Sequence, residues 1–316
     1  MKKRLASAPE LGAAIALLIV LCYFSWKIPA FHSSENLRLM AKQAAPLAVV
    51  GAGMTLVIAL GGIDVSVGSL VGVCGMTLGW LLANRGLPLP LSCLLTIGVG
   101  GLWGAFNGLL ISRVKLPAIL VTLATYAVAR AAATLFNDGS SISDLPPALS
   151  HFFDRTQLAG LPVLFWIGIG TLGLAELLLR KLPFGRGILA IGGNRTAAEL
   201  SGLPVKRIEM LTYAISGALA GLVGILSTAY KATATPDSGQ YLELQAIAAV
   251  ALGGTIITGG RATLLGTGLG VVTIGALISG IRLGGQEDQY AWFLIGLALL
   301  LAMEAQGARI REKRKG

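Results

Sequence analysis

The sequence predicts an all-α membrane protein: a polytopic helical bundle of about ten transmembrane helices with broken or re-entrant segments, both termini cytoplasmic. Three observations predict it. The 316 residues are 54% hydrophobic and only 13% charged, against about a quarter charged in a soluble domain. Mean hydropathy is +0.76, and apolar runs recur along the whole length, each near the ~20 residues a membrane helix needs. The 43 glycines lie within those runs, where small residues let helices approach closely. The whole chain, 1–316, reads as one transmembrane domain.

The first element follows Met1-Lys2-Lys3-Arg4 and covers residues 11–26. It is longer than the apolar core of a signal peptide and no A-x-A-like site follows, so it reads as a retained span. The next runs are 44–60, 70–83 (entered through Ser66 and Ser69), 89–112 and 117–136. Five more follow at 161–179, 210–230, 243–258, 263–280 and 289–306. The third and eighth are short for a full crossing and are candidates for broken or re-entrant helices.

With ten crossings, one side of the membrane receives 17 of the 25 Lys and Arg residues, the other receives 7, and Arg130 falls inside a span. The richer side, which holds both termini, is cytoplasmic by the positive-inside rule. Basic residues sit between runs rather than along one helical face, which argues against nucleic acid as a partner. Arg130, near the end of its span, is placed to snorkel outward. Glu176 and Arg180 are spaced as a local i,i+4 pair.

Two loops are long. Residues 137–160, on the periplasmic side, read as turns and coil around Asp138-Gly139-Ser140-Ser141 and Pro146-Pro147. Residues 180–209, on the cytoplasmic side, are basic. There Thr196-Ala197-Ala198-Glu199 has the capping-box pattern, Gly202 is a C-terminal stop and Pro204 follows it. These signals predict a self-capped helix of one to two turns on the cytoplasmic side, either a plain surface helix or a docking knob for a partner.

The most informative segment is Gly61-Gly62-Ile63-Asp64-Val65-Ser66-Val67-Gly68-Ser69, a polar, glycine-rich stretch between two strongly apolar runs. Lipid tolerates such a break only where protein or a wet cavity surrounds it, and an ionisable group at membrane depth points to function. Asp64 or Ser66 would cap the helix that follows. Ala59-Leu60-Gly61-Gly62 echoes Ala251-Leu252-Gly253-Gly254, and Ser69-Leu70-Val71-Gly72 resembles Thr263-Leu264-Leu265-Gly266. Gly100, Gly104 and Gly108, and Gly217 with Gly221, are spaced by four and predict close helix packing. Asn107, mid-span, would either bond across helices or line a polar route.

Chemistry beyond transport has no visible basis in the sequence. Cys22, Cys74 and Cys93 lie in apolar runs without metal-ligand spacing, and His32 and His151 sit in different loops. Neither a metal nor a cofactor is expected. No Gly-Lys dipeptide occurs, so the phosphate-cradling G-x-x-x-x-G-K-[ST] loop is absent and Gly192-Gly193-Asn194-Arg195 does not replace it. No nucleophile–base pair suggests an enzyme. A pump built on this chain draws its energy from another subunit.

At this point the residues resemble a family. The 61–69 segment is similar to a signature of the inner-membrane permeases of bacterial monosaccharide ABC importers, the ribose/xylose/galactose type. Leu116-Pro117-Ala118-Ile119-Leu120-Val121-Thr122-Leu123 matches as well. So do Ala190-Ile191-Gly192-Gly193-Asn194 with Ala197-Ala198 and Leu200-Ser201-Gly202, and residues 246–254 with Gly259-Gly260-Arg261. One departure is Thr255-Ile256-Ile257-Thr258, where the family pattern carries a more polar, serine-containing run. The resemblance implies a multi-pass protein of the bacterial inner membrane and four partners: the lipid bilayer, a second permease copy or paralogue, a cytoplasmic ABC ATPase and a periplasmic sugar-binding protein. It implies a path for a monosaccharide or related polyol shaped by Asp64, Ser66 and the break glycines Gly61, Gly62, Gly253 and Gly254. Asn107, Thr122 and Tyr126 are lining candidates. Asn194, Thr196, Ala197, Ala198, Glu199 and Gly202 fall in the stretch expected to engage the ATPase. A branched-chain amino acid or nucleoside importer permease, and a self-sufficient secondary transporter, are the alternatives.

Overall fold

A computed structural model describes residues 10–315, so the Lys2-Lys3-Arg4 cluster lies outside the described residues. The architecture is all-α apart from one two-stranded hairpin. Each of the ten apolar runs forms a helix: α1 (Glu10–Lys27), α2 (Ser34–Leu60), α3 (Val67–Ala83), α4 (Leu89–Arg113), α5 (Ala118–Leu135), α7 (Val163–Lys181), α10 (Val205–Lys231), α11 (Leu242–Leu252), α12 (Leu264–Leu283) and α13 (Asp288–Lys315). Among the described residues seven are long and apolar enough to cross a membrane: α1, α2, α4, α5, α7, α10 and α12. The two runs expected to be short are the two short apolar helices, α3 with 17 residues and α11 with 11. At 1.5 Å per residue they span about 25 and 16 Å, less than a ~30 Å hydrocarbon core.

α2 is the central post. Every residue from Leu47 to Leu60 is buried, as expected of a helix that is apolar on all sides and enclosed by others. α7, α10, α11 and α12 pack around it, α3 lies between α10 and α5, and α1 rests on α12. The exposed faces of α1, α4, α5, α7 and α13 carry leucines such as Leu102 and Leu174, suited to lipid. Along α4 and α10 the spaced glycines meet backbone to backbone: Gly100 lies against Gly217, Gly104 against Tyr213 and Ala214, and Gly108 against Met210.

Several boundaries differ from the sequence expectation. α2 starts ten residues before the apolar run, because Ser33 caps it by accepting from the Asn36 N–H (3.2 Å) and the helix continues through Pro46. α11 stops at Leu252, six residues early, because Gly254, Gly259 and Gly260 take positive φ. The loop expected at 137–160 contains a short helix α6 (Pro147–Ser150), a π turn (His151–Arg155) and β1 (Gln157–Leu158), and it extends to residue 162 through the paired strand β2 (Leu161–Pro162), rather than being coil alone. The basic loop holds α8 (Pro183–Gly193), which the sequence reading missed, and α9 (Arg195–Leu200). α9 has the expected length but its cap is Asn194, whose Oδ1 accepts from the Ala197 N–H (3.0 Å); the Thr196–Glu199 capping box does not form. Glu199 pairs instead with Arg195 at 3.3 Å. Gly202 does end the helix at φ +82°, with Leu203 N–H closing back to the Ala198 carbonyl.

Candidate functional site

The break begins where α2 runs out. Gly61, at φ +94°, turns the chain, and the Gly62 N–H closes back to Val57. The chain then crosses to α3 through Ile63, Asp64, Val65 and Ser66. A carboxylate out of water needs donors, and Asp64, 1% exposed, has three. The Ser66 N–H (3.1 Å) and Oγ–H (2.6 Å) donate to Oδ1, and Ser216 Oγ of α10 donates to Oδ2 at 3.1 Å. Asp64 therefore forms a local turn and ties the break to α10, while Ser66 is the cap position of α3 without a capping bond of its own.

Two other helices hold the same four residues. Asn107 Nδ2 of α4 donates to Ser66 Oγ at 2.9 Å, and Thr122 Oγ1 of α5 donates to the Ile63 carbonyl at 3.1 Å. Thr122, Asn107 and Ser216 lie 4, 6 and 11 residues from the near ends of their helices, about 6, 9 and 16 Å at 1.5 Å per residue. The break is thus held within the depth of the bundle. Two buried groups beside it, Asn107 Oδ1 and Tyr213 OH, have no hydrogen-bond partner among the described residues. The Tyr213 hydroxyl abuts Gly62, in the space a Cβ there would occupy.

A second break lies between α11 and α12. Gly253 packs on the backbone of Gly266, Gly254 turns at φ +86°, and Thr263 caps α12 by accepting from the Gly266 N–H (3.2 Å). The Gly260 N–H donates to the Ala59 carbonyl at 2.9 Å, so the two breaks touch. Gly192, at the end of α8, fills the remaining gap between Ala59 and Gly260. The first echo segment, through Ala59, therefore lies against the loop that follows the second.

Beside the first break lies a cavity of about 670 Å³, lined among others by Gly61, Gly62, Lys115, Asn194, Arg195 and Tyr213. One wall is thus the break and another is the end of α8 with α9. α9 itself is exposed except for Ala198, and Leu200 at its tip is 85% exposed. Beneath it Arg195 grips Glu209 of α10, with Nη1 on Oε1 and Nη2 on Oε2 (3.1 Å).

Of the five lining candidates, Asp64, Ser66, Asn107 and Thr122 converge, and they stand behind the cavity wall rather than on it. Tyr126 stands apart beneath Arg130, whose guanidinium carbon is 5.8 Å from its ring centroid. Arg130 does not snorkel outward: its Nη1 donates to the Pro236 carbonyl at 2.8 Å. Glu176 and Arg180 do pair, at 3.1 Å. Ser216, Tyr213, Glu209 and Arg195 were missed. Glu209, Tyr213 and Ser216 follow an i, i+4, i+7 pattern, one face of a helix, and that face was the available signal. Among the described residues no cluster of His, Cys, Asp and Glu could hold a metal ion.

Residues 36–303 match the family described as branched-chain amino acid transport system / permease component. The chain is 35% identical to the ribose import permease protein RbsC of Bacillus subtilis over 295 residues, 93% of this chain and 91% of that one. It is 34% identical to the autoinducer 2 import system permease protein LsrC of Enterobacter sp. strain 638 over 314 residues, covering 98% and 90%. It is 32% identical to the fructose import permease protein FrcC of Rhizobium meliloti over 308 residues, covering 95% and 85%. No solved structure matches the chain.

Proposed function

The chain belongs to the branched-chain amino acid transport system / permease component family, and from that premise we propose that it forms the membrane path of an ABC importer for a monosaccharide or related polyol. It is a multi-pass membrane transport subunit and not an enzyme. A permease of this kind works with an ATPase and a substrate-binding protein. The observation that carries the reading is the cavity walled by the break glycines Gly61 and Gly62 on one side and by the exposed α9 on another.

In this reading both termini and α9 face the cytoplasm, and residues 194–202 dock on the ATPase with Leu200 as the apolar knob. The sugar-binding protein sits on the opposite, periplasmic face, and a second permease copy or paralogue completes the path. Asp64 shapes the break by accepting from Ser66 and Ser216, with both carboxylate oxygens engaged and the residue buried. Gly61, Gly62, Gly253 and Gly254 supply the turns around which access alternates. The relatives named for ribose and fructose import favour a sugar over a branched-chain amino acid or nucleoside.

The test is reconstitution. The tagged chain, expressed with its ATPase and binding protein, should retain the ATPase through purification and take up ribose or fructose into proteoliposomes only with ATP. Ion-driven uptake by the chain alone would make it a secondary transporter. Uptake that depends on ATP but selects leucine or a nucleoside would reassign the substrate class.

A further inference from the structure

Residues 232–241, between α10 and α11, are not an ordinary surface loop. The segment descends along one face of α3. A Cβ placed on Gly79 would lie 2.8 Å from Ala234 Cβ, one on Gly72 would lie 2.7 Å from the Pro236 carbonyl, and one on Gly68 would lie 2.8 Å from the Gly239 carbonyl. Gly79 to Gly68 is eleven residues of helix, about 16 Å, or roughly half of the hydrocarbon thickness. The glycines form a trough, and non-helical backbone fills it. Backbone of that kind at that depth is stable only within protein or against a wet route.

Polar side chains hold the segment in the trough. Arg130 Nη1 donates to the Pro236 carbonyl at 2.8 Å and reaches the Ser238 carbonyl at 3.5 Å, while Lys231 Nζ reaches Ser238 Oγ at 3.5 Å. At the foot, Glu243 is 4% exposed and presses its carboxylate on Gly68, two residues beyond Ser66. Glu243 Oε2 and Arg130 Nη2 are both buried without a partner among the described residues. A donor and an acceptor left unsatisfied cost free energy, and both flank the same trough.

We infer that the α3 trough is the outer half of the transport path, that residues 234–239 plug it, and that Arg130 and Glu243 line it when the plug lifts. A guanidinium and a carboxylate around one groove suit a ligand whose neighbouring hydroxyls both donate and accept, a polyhydroxyl compound. The inference rests on the importer reading above. It also gives Tyr126, beneath Arg130, a place on the path.

Ile142 and Ala234 provide the test. They exchange two backbone hydrogen bonds at 2.9 Å as an antiparallel bridge, a pairing with Cα atoms about 5.5 Å apart, within disulfide range. In a background with Cys22, Cys74 and Cys93 replaced by serine, the reconstituted complex carrying Ile142→Cys and Ala234→Cys should lose ribose or fructose uptake on oxidation and regain it on reduction. Each single-cysteine variant should be indifferent to oxidant. Undiminished uptake by the fully oxidised pair overturns the plug. A second measurement needs no transport: labelling of Ser238→Cys by a membrane-impermeant maleimide should accelerate several-fold in Arg130→Ala, and an unchanged rate overturns the latch. If the unmodified complex takes up neither sugar, the substrate reading fails while the labelling arm still decides the latch.

Discussion

Arg195 spans both carboxylate oxygens of Glu209, joining the short helix α9 to the long helix α10. The acid is 4% exposed and the guanidinium 42%, so the pair lies at the border of the buried region. Removing one partner leaves the other unsatisfied at about 1–3 kcal/mol. Arg195→Ala should therefore lower the melting temperature of the purified permease and weaken the ATP dependence of uptake. Exchanging the two charges, Arg195→Glu with Glu209→Arg, should recover part of both. If the single variant melts and transports like the parent, the pair is ornamental.

Asp64 is expected to act through its bonds rather than its charge. Asp64→Asn keeps an oxygen for Ser66, and the Ser216 hydroxyl can turn to accept, so expression and uptake should fall by less than half. Asp64→Ala strips all three donors of their acceptor, a loss of about 1–3 kcal/mol, and should abolish stable expression. Fluorescence-detected size exclusion of the two variants side by side decides this; equal damage from both would mean that the charge itself is needed.

The α4–α10 seam makes a sharp contrast between neighbouring glycines. A Cβ on Gly104 would collide with the Tyr213 carbonyl, whereas one on Gly98 has nothing within 4 Å. Gly104→Ala should cost about 1–3 kcal/mol by overpacking. Gly98→Ala should be neutral or stabilising by up to about 1 kcal/mol, because alanine favours helix. Thermal melts in one detergent compare them directly.

Leu200 separates docking from folding. At 85% exposed it contributes little to the fold, so Leu200→Asp should leave the melting temperature within error. The same substitution should reduce ATPase retained on a tagged permease by at least tenfold. Full retention would move the docking surface away from α9.

The fold was legible because apolar runs of membrane length have few alternatives, and each became a helix. Their ends were less so. Ser33 and Pro46 decide where α2 starts and runs, and an isolated serine or proline in sequence does not declare which side of it the helix lies. Four candidates met at the break because a carboxylate and hydroxyls in an apolar setting must find each other. Ser216 escaped notice because serine in a membrane helix is common, and only its partner Asp64 makes it informative. Residues 232–241 drew no reading of their own, since composition does not reveal that a connection is inserted rather than exposed; the glycines of α3 that receive it were the overlooked half of the signal.

The glycine seam has one more consequence. Where two backbones touch directly there are no rotamers to shuffle, so α4 and α10 behave as a single strut. Asn107 on one and Ser216 on the other grip the same pair of residues, Ser66 and Asp64, like two fingers of one hand. A transport cycle that moves the first break must carry that hand with it as a rigid piece. The bending then falls to the turns outside that grip, at Gly61 where α2 ends and at Gly254 beyond α11, each already at positive φ.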